Sequence, residues 1–558
     1  MLRRVVLICL LAGLLAAPAA GAPIRGQTLM PGVVYSRQVE FTAHGPVVVN
    51  LISAPKPTGL YQLKPVLSNN AILGKDRVTA MEKDVSSSAT VAGVNGDLFA
   101  SGDGHPIGAL IRSGVLDSAP SGLRSSIGID ADGGLHVDRV SMTGTWKGTG
   151  QRRALDVNEP ATTKRTVLYT PAWGARTPPE STSVEAILQT FPGTAPNTDL
   201  RATVTQVVQG GNQPIPPGGA VLVARTDAQF LSAEAPAGTN LSVTLLLTPQ
   251  WRNIVDAVGG GPAIVRGGKP VFRSFEGFTA AQLSTRTPRT AVGQTADGRI
   301  ILAAVDGKQP GYSTGLTNFE LALMMMRLGA VTASALDGGP STTMAFDGKL
   351  LNRPSNRGTE RAVAEALLLF YYGVYAPAPD SPVLSPNGDG TADTETLSYK
   401  VVRPSTVTAT LSGPGGASIT LDSGHRNPGV YTFPWSGANA DGSPAAEGRW
   451  TFSADATDDQ GRSSSADRQI TLNKTLGFVT ASASGRRLSA SFKLVRPARV
   501  TTRIETPGGA IVATLPTRSL DTGTATVSWP GARGRYVLSI TATNDLGPVE
   551  QTAPFILR

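Results

Sequence analysis

Apolar residues along this chain recur mostly in short runs, and glycine-containing turns separate them. Between about Gln27 and Tyr375, runs such as Val47 to Ile52, Ala220 to Ala224, Ser242 to Leu247 and Ile300 to Val305 have the length of strands. Asp132-Gly133, Gly267-Gly268, Asp297-Gly298 and Asp347-Gly348 read as hairpin turns. One stretch breaks the pattern. Thr317 and Glu320 form a capping box, Leu321, Met324, Met325 and Leu328 follow at helical spacing, and Gly329 supplies the stop. This predicts an amphipathic helix with two of three consecutive methionines in the core.

The turn at Asp297-Gly298 also implies a register. A two-residue turn pairs 296 with 299, which places Arg289 opposite Asp306 at the far end of the ladder. Ile300, Leu302 and Ala304 would line one face, and Val292, Ile301 and Val305 the other, as in a central strand pair covered on both sides. Arg289 and Asp306 would then be either a structural ion pair or an oriented anion clamp.

Beyond Tyr375 the pattern changes. Ala376 to Pro382 is rich in proline and lacks apolar period, so 376–385 reads as a linker. Thr and Ser then alternate with Val, Leu and Ile. Tyr399-Lys400-Val401-Val402-Arg403-Pro404 recurs as Phe492-Lys493-Leu494-Val495-Arg496-Pro497, and Pro414-Gly415-Gly416-Ala417 as Pro507-Gly508-Gly509-Ala510. Trp435 is matched by Trp529. A nearly constant offset predicts two homologous sandwiches, at 386–472 and 473–558. The segment from Trp435 to Trp450 resembles the Ig-like domain of the flagellar hook-capping family, and the second repeat is shorter there. Asn387, Asp389 and Asp393 lie in the loop that enters the first repeat. They could ligate a structural Ca²⁺, or form an ordinary turn rich in Asn, Gly and Asp. No other cofactor is expected.

Composition narrows the classes. The chain has 558 residues, with 63 Gly and 41 Pro, an excess that suits many turns, and no Gly-X-Y period. Its only cysteine is Cys9, which excludes a disulfide framework, and its four histidines show no ligand spacing. The formal charge of +9 is scattered, so no nucleic-acid track is expected. Arg3-Arg4, the apolar run Val5 to Leu15 and Ala17-Pro18-Ala19 form a signal-peptide pattern over 1–20. The mature protein is expected to be secreted or envelope-facing, with no stable membrane span.

Candidate chemistry gathers where glycine meets polar residues at strand ends. Asn95-Gly96-Asp97, Gly259-Gly260-Gly261-Pro262, the hairpin from Arg289 to Asp306, and Asp337-Gly338-Gly339 with Ser341, Thr342 and Thr343 are such places. Glycines allow close backbone approach, and successive N–H groups can cradle an anion. Each segment also has a plainer reading as a turn, and Glu320 as a cap. There is no G-x-S-x-G elbow, H-E-x-x-H or P-loop.

In order along the chain, Asn95-Gly96-Asp97, Gly259 to Pro262, Pro288-Arg289-Thr290-Ala291-Val292-Gly293, Asp306-Gly307, Leu316-Thr317 with Glu320, and Leu336 to Gly339 with Ser341-Thr342-Thr343 together resemble the phosphodiester glycosidase family. Leu98 stands where that family commonly has an aromatic residue, and Pro340 where it usually has glycine. The resemblance implies an α+β catalytic domain rich in antiparallel sheet over 21–375, with 177–250 an additional β-rich subdomain. It implies hydrolysis of a sugar-1-phosphodiester, with a glycan or sugar-phosphate polymer of the envelope or an exopolysaccharide as substrate. Asp337 would be the leading acid, base or nucleophile, and Asp306 or Asp97 a second carboxylate. Arg289, Thr290 and the Gly338 and Gly339 backbone would hold the phosphate. Asn95, Gly260, Ser341, Thr342 and Glu320 would complete the binding set. The alternative is a non-catalytic surface protein that binds glycan and adheres through its Ig-like repeats.

Overall fold

The computed structural model describes residues 26–160 and 165–558. The export signal expected at 1–20 lies outside the described residues. The larger unit is built on an eight-stranded antiparallel sheet. Its order is Gln27–Met30, Val33–Thr42, Gly45–Ala54, Ile300–Val305, Arg289–Thr295, Ala330–Ala335, Ala263–Arg266 and Lys269–Pro270. Ile300–Val305 is buried along its whole length, as a strand covered on both faces must be.

The helix Asn318–Arg327 covers one face. Its Thr317–Glu320 capping box is present, and Leu321, Met324 and Met325 pack against Val49, Ile301, Ala303 and Val305. The other face meets two five-stranded sheets through Ile300, Leu302, Val292, Ala92, Leu367, Val258 and Ile127. Helices contribute little: four short α-helices stand among 41 strands in the described residues. The described chain is therefore mostly antiparallel sheet.

The hairpin register differs by one residue from the expected one. Arg289 pairs with Val305 and Gln294 with Ile300. The loop has three residues, 296 to 298, closed by Gly298 N–H to Thr295 O at 3.0 Å and Thr295 N–H to Arg299 O at 3.0 Å. Gly298 takes φ +86°, the left-handed position that such a loop needs. The shift puts Val292 on the face of Leu302 instead of that of Ile301. It also removes the direct opposition of Arg289 and Asp306.

A second eight-stranded sheet forms the additional subdomain. It starts at Ser141–Lys147, well before 177, and runs to Asn240–Thr248. The two C-terminal all-β units share much of their strand order: Ser405–Ser412 answers to Ala498–Glu505, and Gly429–Trp435 to Gly523–Pro530, while Ser418–Arg426 is answered by two shorter strands. The connection after Trp435 runs to Gly448 in the first and only from Pro530 to Gly534 in the second. The proline-rich segment between the units is tied down. Ala376 is in the first sandwich's core, and the Glu395 carboxylate accepts the N–H groups of Asp380 and Ser381.

Candidate functional site

Strand ends of three of the larger unit's sheets converge on one corner. Asp337 N–H donates to Gly96 O at 3.1 Å, Leu336 N–H to Thr290 O at 2.9 Å, and Gly261 N–H to Ala335 O at 2.9 Å. Asn95 joins the same segments. Its amide donates to Asp337 O at 2.8 Å, and its carbonyl accepts from Thr290 Oγ1 at 2.8 Å and Thr343 N–H at 3.1 Å. These bonds engage both polar atoms of a fully buried side chain. Asn95 and Thr290 thus brace the corner and do not line the cavity.

A cavity of about 360 Å³ opens at this corner. Arg289, Asp337, Gly338, Gly339, Lys308 and Asn318 supply its polar lining, and Leu98, Pro262, Phe278 and Leu336 its apolar walls. Asp337 is its only lining carboxylate among the described residues. Burial pushes the Asp337 carboxyl up to about 6, reinforced by the nearby charge of Asp97, while Ser341 and Arg361 pull the other way.

Arg289 is the unusual cation. It is 8% exposed, yet no carboxylate lies within ion-pair distance among the described residues. Three carbonyls hold it instead. Nε donates to Leu316 O, and Nη2 to Gln282 O and Thr285 O, each at 2.9 Å. Nη1 has no partner among the described residues. Burial lowers this guanidinium to about 10, which still leaves it charged at neutral pH. An uncompensated buried cation beside a cavity is a site for an anion.

The structure separates the other expected residues from the cavity. Asp306 does not meet Arg289. It accepts from Tyr312 Oη and Asn352 Nδ2 at 3.0 Å, from Arg353 N–H and from Asn50 Nδ2, and so anchors the loop that carries Lys308. Asp97 is buried in a bidentate pair with Arg124, at 2.8 and 2.9 Å. Burial raises its carboxyl and Arg124 pulls it back. A Cβ at Gly259 or Gly108 would collide with Asp97 Oδ2, which explains glycine at both. Glu320 caps its helix and pairs with Arg286. Gly260 accepts from Arg124, and its neighbour Gly261 reaches the cavity.

The expected backbone nest is also closed. Gly339 N–H donates to Pro288 O at 2.9 Å, and Gly338 N–H steadies the Asp337 carboxylate. Ser341 Oγ accepts from Arg361 at 3.1 Å. Thr342 and Thr343 are buried behind it, with hydroxyls that have no partner. Pro340 is accommodated in the first positions of the 3₁₀ turn Gly339–Ser341, where no N–H is required.

Arg124, Lys308, Asn318 and Glu365 were not anticipated. Glu365 is buried behind Asp97, and burial raises it to about 8, with Asp97 adding to the shift. One of its oxygens accepts Asp97 N–H, and the other has no partner. A carboxylate heading the wholly apolar run Ala366 to Tyr371 was the available signal.

The weak calcium candidates form a hydrogen-bonded turn. Asp393 accepts the N–H groups of Asn387, Gly388 and Gly390. Asp389 accepts Thr391 N–H within the loop, and Phe478 N–H and Gln551 Nε2 from the second sandwich. Donors thus surround oxygens that a cation would require, and the loop joins the two sandwiches.

Residues 197–370 match the family model described as phosphodiester glycosidase. Over that segment the chain is similar to the phosphodiester glycosidase family. Residues 387–460 match the FlgD Ig-like domain. A hypothetical protein from Synechocystis is similar in structure, at TM-score 0.53 and 25% identity, covering 63% of this chain and 64% of that one. The zebrafish N-acetylglucosamine-1-phosphodiester alpha-N-acetylglucosaminidase catalytic domain is similar at TM-score 0.34 and 16% identity, covering 63% and 86%. The SPbeta prophage-derived uncharacterized protein YomE of Bacillus subtilis (strain 168) is 36% identical over 108 residues. That stretch is 19% of this chain and spans 16% of YomE. No helix among the described residues is long and apolar enough to cross a membrane.

Proposed function

We propose that the protein hydrolyses the glycosidic bond of a sugar-1-phosphodiester, and that it does so outside the cytoplasm on material of the cell envelope. The observation that carries this reading is Arg289. Its charge is buried, held only by carbonyls, and shares a cavity with one carboxylate. A phosphodiester supplies the missing anion.

The single carboxylate also fits. Ordinary glycosidases need one carboxyl to protonate the departing alcohol and a second to activate water or attack. A departing phosphate needs no such proton, because its charge is received by a cation. Arg289, with Lys308 at the rim, takes that part. Asp337 takes a proton from water as the water oxygen bonds to the anomeric carbon, and the bond from that carbon to the phosphate oxygen breaks. The electron pair leaves with the phosphate. A carboxylate raised toward 6 is a stronger base than an ordinary one and is still mostly ionised at pH 7. Asp97, Arg124 and Glu365 fix the wall behind it.

Turnover of a chromogenic sugar-1-phosphodiester by wild type and Asp337→Asn tests the assignment. Hydrolysis in ¹⁸O water should label the sugar and leave the phosphate unlabelled. Equal, negligible rates in both proteins with glycan binding intact would instead support a non-catalytic, glycan-binding surface protein.

A further inference from the structure

A second cavity, of about 240 Å³, adjoins the first. Pro262 and Asn318 line both. The short helix Ala280–Ser284 partitions them, giving Ala281 and Gln282 to the first and Leu283 and Ser284 to the second. The chemistry changes across that partition. No charged residue lines the second cavity, and its walls include Ile264, Val271, Phe272, Leu283 and Phe319. Phe272 is 74% exposed and stands edge-on to Phe319, with ring centroids 5.4 Å apart. Phe275, three residues further along the same loop, is 80% exposed. Large exposed aromatics beside an apolar cavity mark a contact surface.

Asn318 marks the threshold between the two. It is 7% exposed, and its Oδ1 is buried without a hydrogen-bond partner. A buried acceptor left unsatisfied in the protein is costly unless a ligand donates to it, which the sugar's hydroxyls can do and a phosphodiester or hydrocarbon cannot.

Resting on the phosphodiester reading of the first cavity, we propose that the second cavity is the subsite for the other ester group, and that this group is a hydrocarbon chain. The substrate class is then a sugar joined through phosphate to a lipid-like alcohol. Ser274, Ser284, Thr317 and Asn318 also line it, but the greater part of its wall is apolar. A polyanion would meet no cation there. An apolar chain gains most from these side chains, and the shared edge at Pro262 and Asn318 lets it continue from a phosphate held by Arg289.

The test uses alkyl phosphates of increasing length, from methyl to octyl, titrated calorimetrically into the full-length protein. Affinity should rise about fourfold per methylene until the cavity is filled, and then level off. Phe272→Ser and Leu283→Asn should flatten this slope. Because the slope is a ratio within each protein, a general loss of binding cancels. Phe272 is exposed, so its replacement is compatible with folding. The same chain series is then made as sugar-1-phosphodiesters and assayed for hydrolysis. A flat affinity series in wild type overturns the hydrocarbon subsite, whether or not the diesters are cleaved. A rising series without cleavage of any diester keeps the subsite and overturns the catalytic reading. A series that rises equally in both variants also overturns the proposal, since it would place the chain elsewhere.

Discussion

The larger unit and the sandwiches are both antiparallel sheet, but they treat polar residues in opposite ways. In Ser405–Ser412 every second residue is buried, and the hydroxyls between them face water. Such a strand is stabilised by alternation alone. The corner around Asp337 buries Asn95, Asp97, Arg124, Arg289 and Glu365 within a few strand ends. Burying those groups costs stability unless each is paired. Most are paired with one another. Two are left with unmet needs: Arg289 lacks an anion, and one oxygen of Glu365 lacks a partner. The contrast locates chemistry where the fold bears a cost with no structural return.

Four measurements would break or sharpen this contrast. The largest effect is expected for Asp337→Asn, which should lower kcat for a sugar-1-phosphodiester by roughly 10²- to 10⁴-fold, with little change in thermal stability. A residue required mainly for folding would reverse that order. Next are two replacements that should act on stability. Asp97→Asn leaves the Arg124 charge buried and unmatched, and should destabilise the larger unit by about 3–5 kcal/mol. Trp450→Ala should cost the first sandwich a similar amount, about 3–5 kcal/mol, while turnover persists. Differential scanning calorimetry read beside activity separates the two. If Trp450→Ala abolishes turnover at temperatures where the sandwich remains folded, the division of labour is wrong.

The third measurement is the pH profile. As a base, Asp337 must be ionised, so kcat/KM should rise as pH increases through about 6 and level off above it. A fall over the same range would make Asp337 an acid. The fourth measurement is stability against pH for Glu365→Gln. Glu365 holds its proton to about 8 when folded, whereas an unfolded glutamate releases it near ~4.3. Between those values the folded state binds the extra proton, so this residue's contribution to stability declines as pH rises. The glutamine variant should remove that decline, so its stability relative to wild type should grow as pH rises from near ~4.3 toward neutrality.

The sequence was legible where information is local or periodic. Thr317 and Glu320 lie three residues apart, and the helix they open is present. The offset between Tyr399 and Phe492 repeats along both sandwiches. The hairpin register was not legible. Asp-Gly serves loops of two and three residues alike, and here pairing with Gly45–Ala54 and Ala330–Ala335 selects the longer one. Side-chain commitments were less legible still. Nothing near Asp97 announces Arg124, 27 residues away. Nothing near Arg289 shows that three carbonyls, and not Asp306, would hold it. Asn95 and Glu320 were visible as polar residues in the right segments, but residue type alone could not separate a brace from a ligand.

Under the proposed hydrolysis, the carbonyl cage around Arg289 also bears on product release. A phosphodiester brings one negative charge to this cation, but the monoester left after cleavage carries nearly two at pH 7, since its second ionisation lies near ~6. The product is therefore the better counterion. Turnover should be governed by how fast that product escapes, and inorganic phosphate in the buffer should act as a competitive inhibitor.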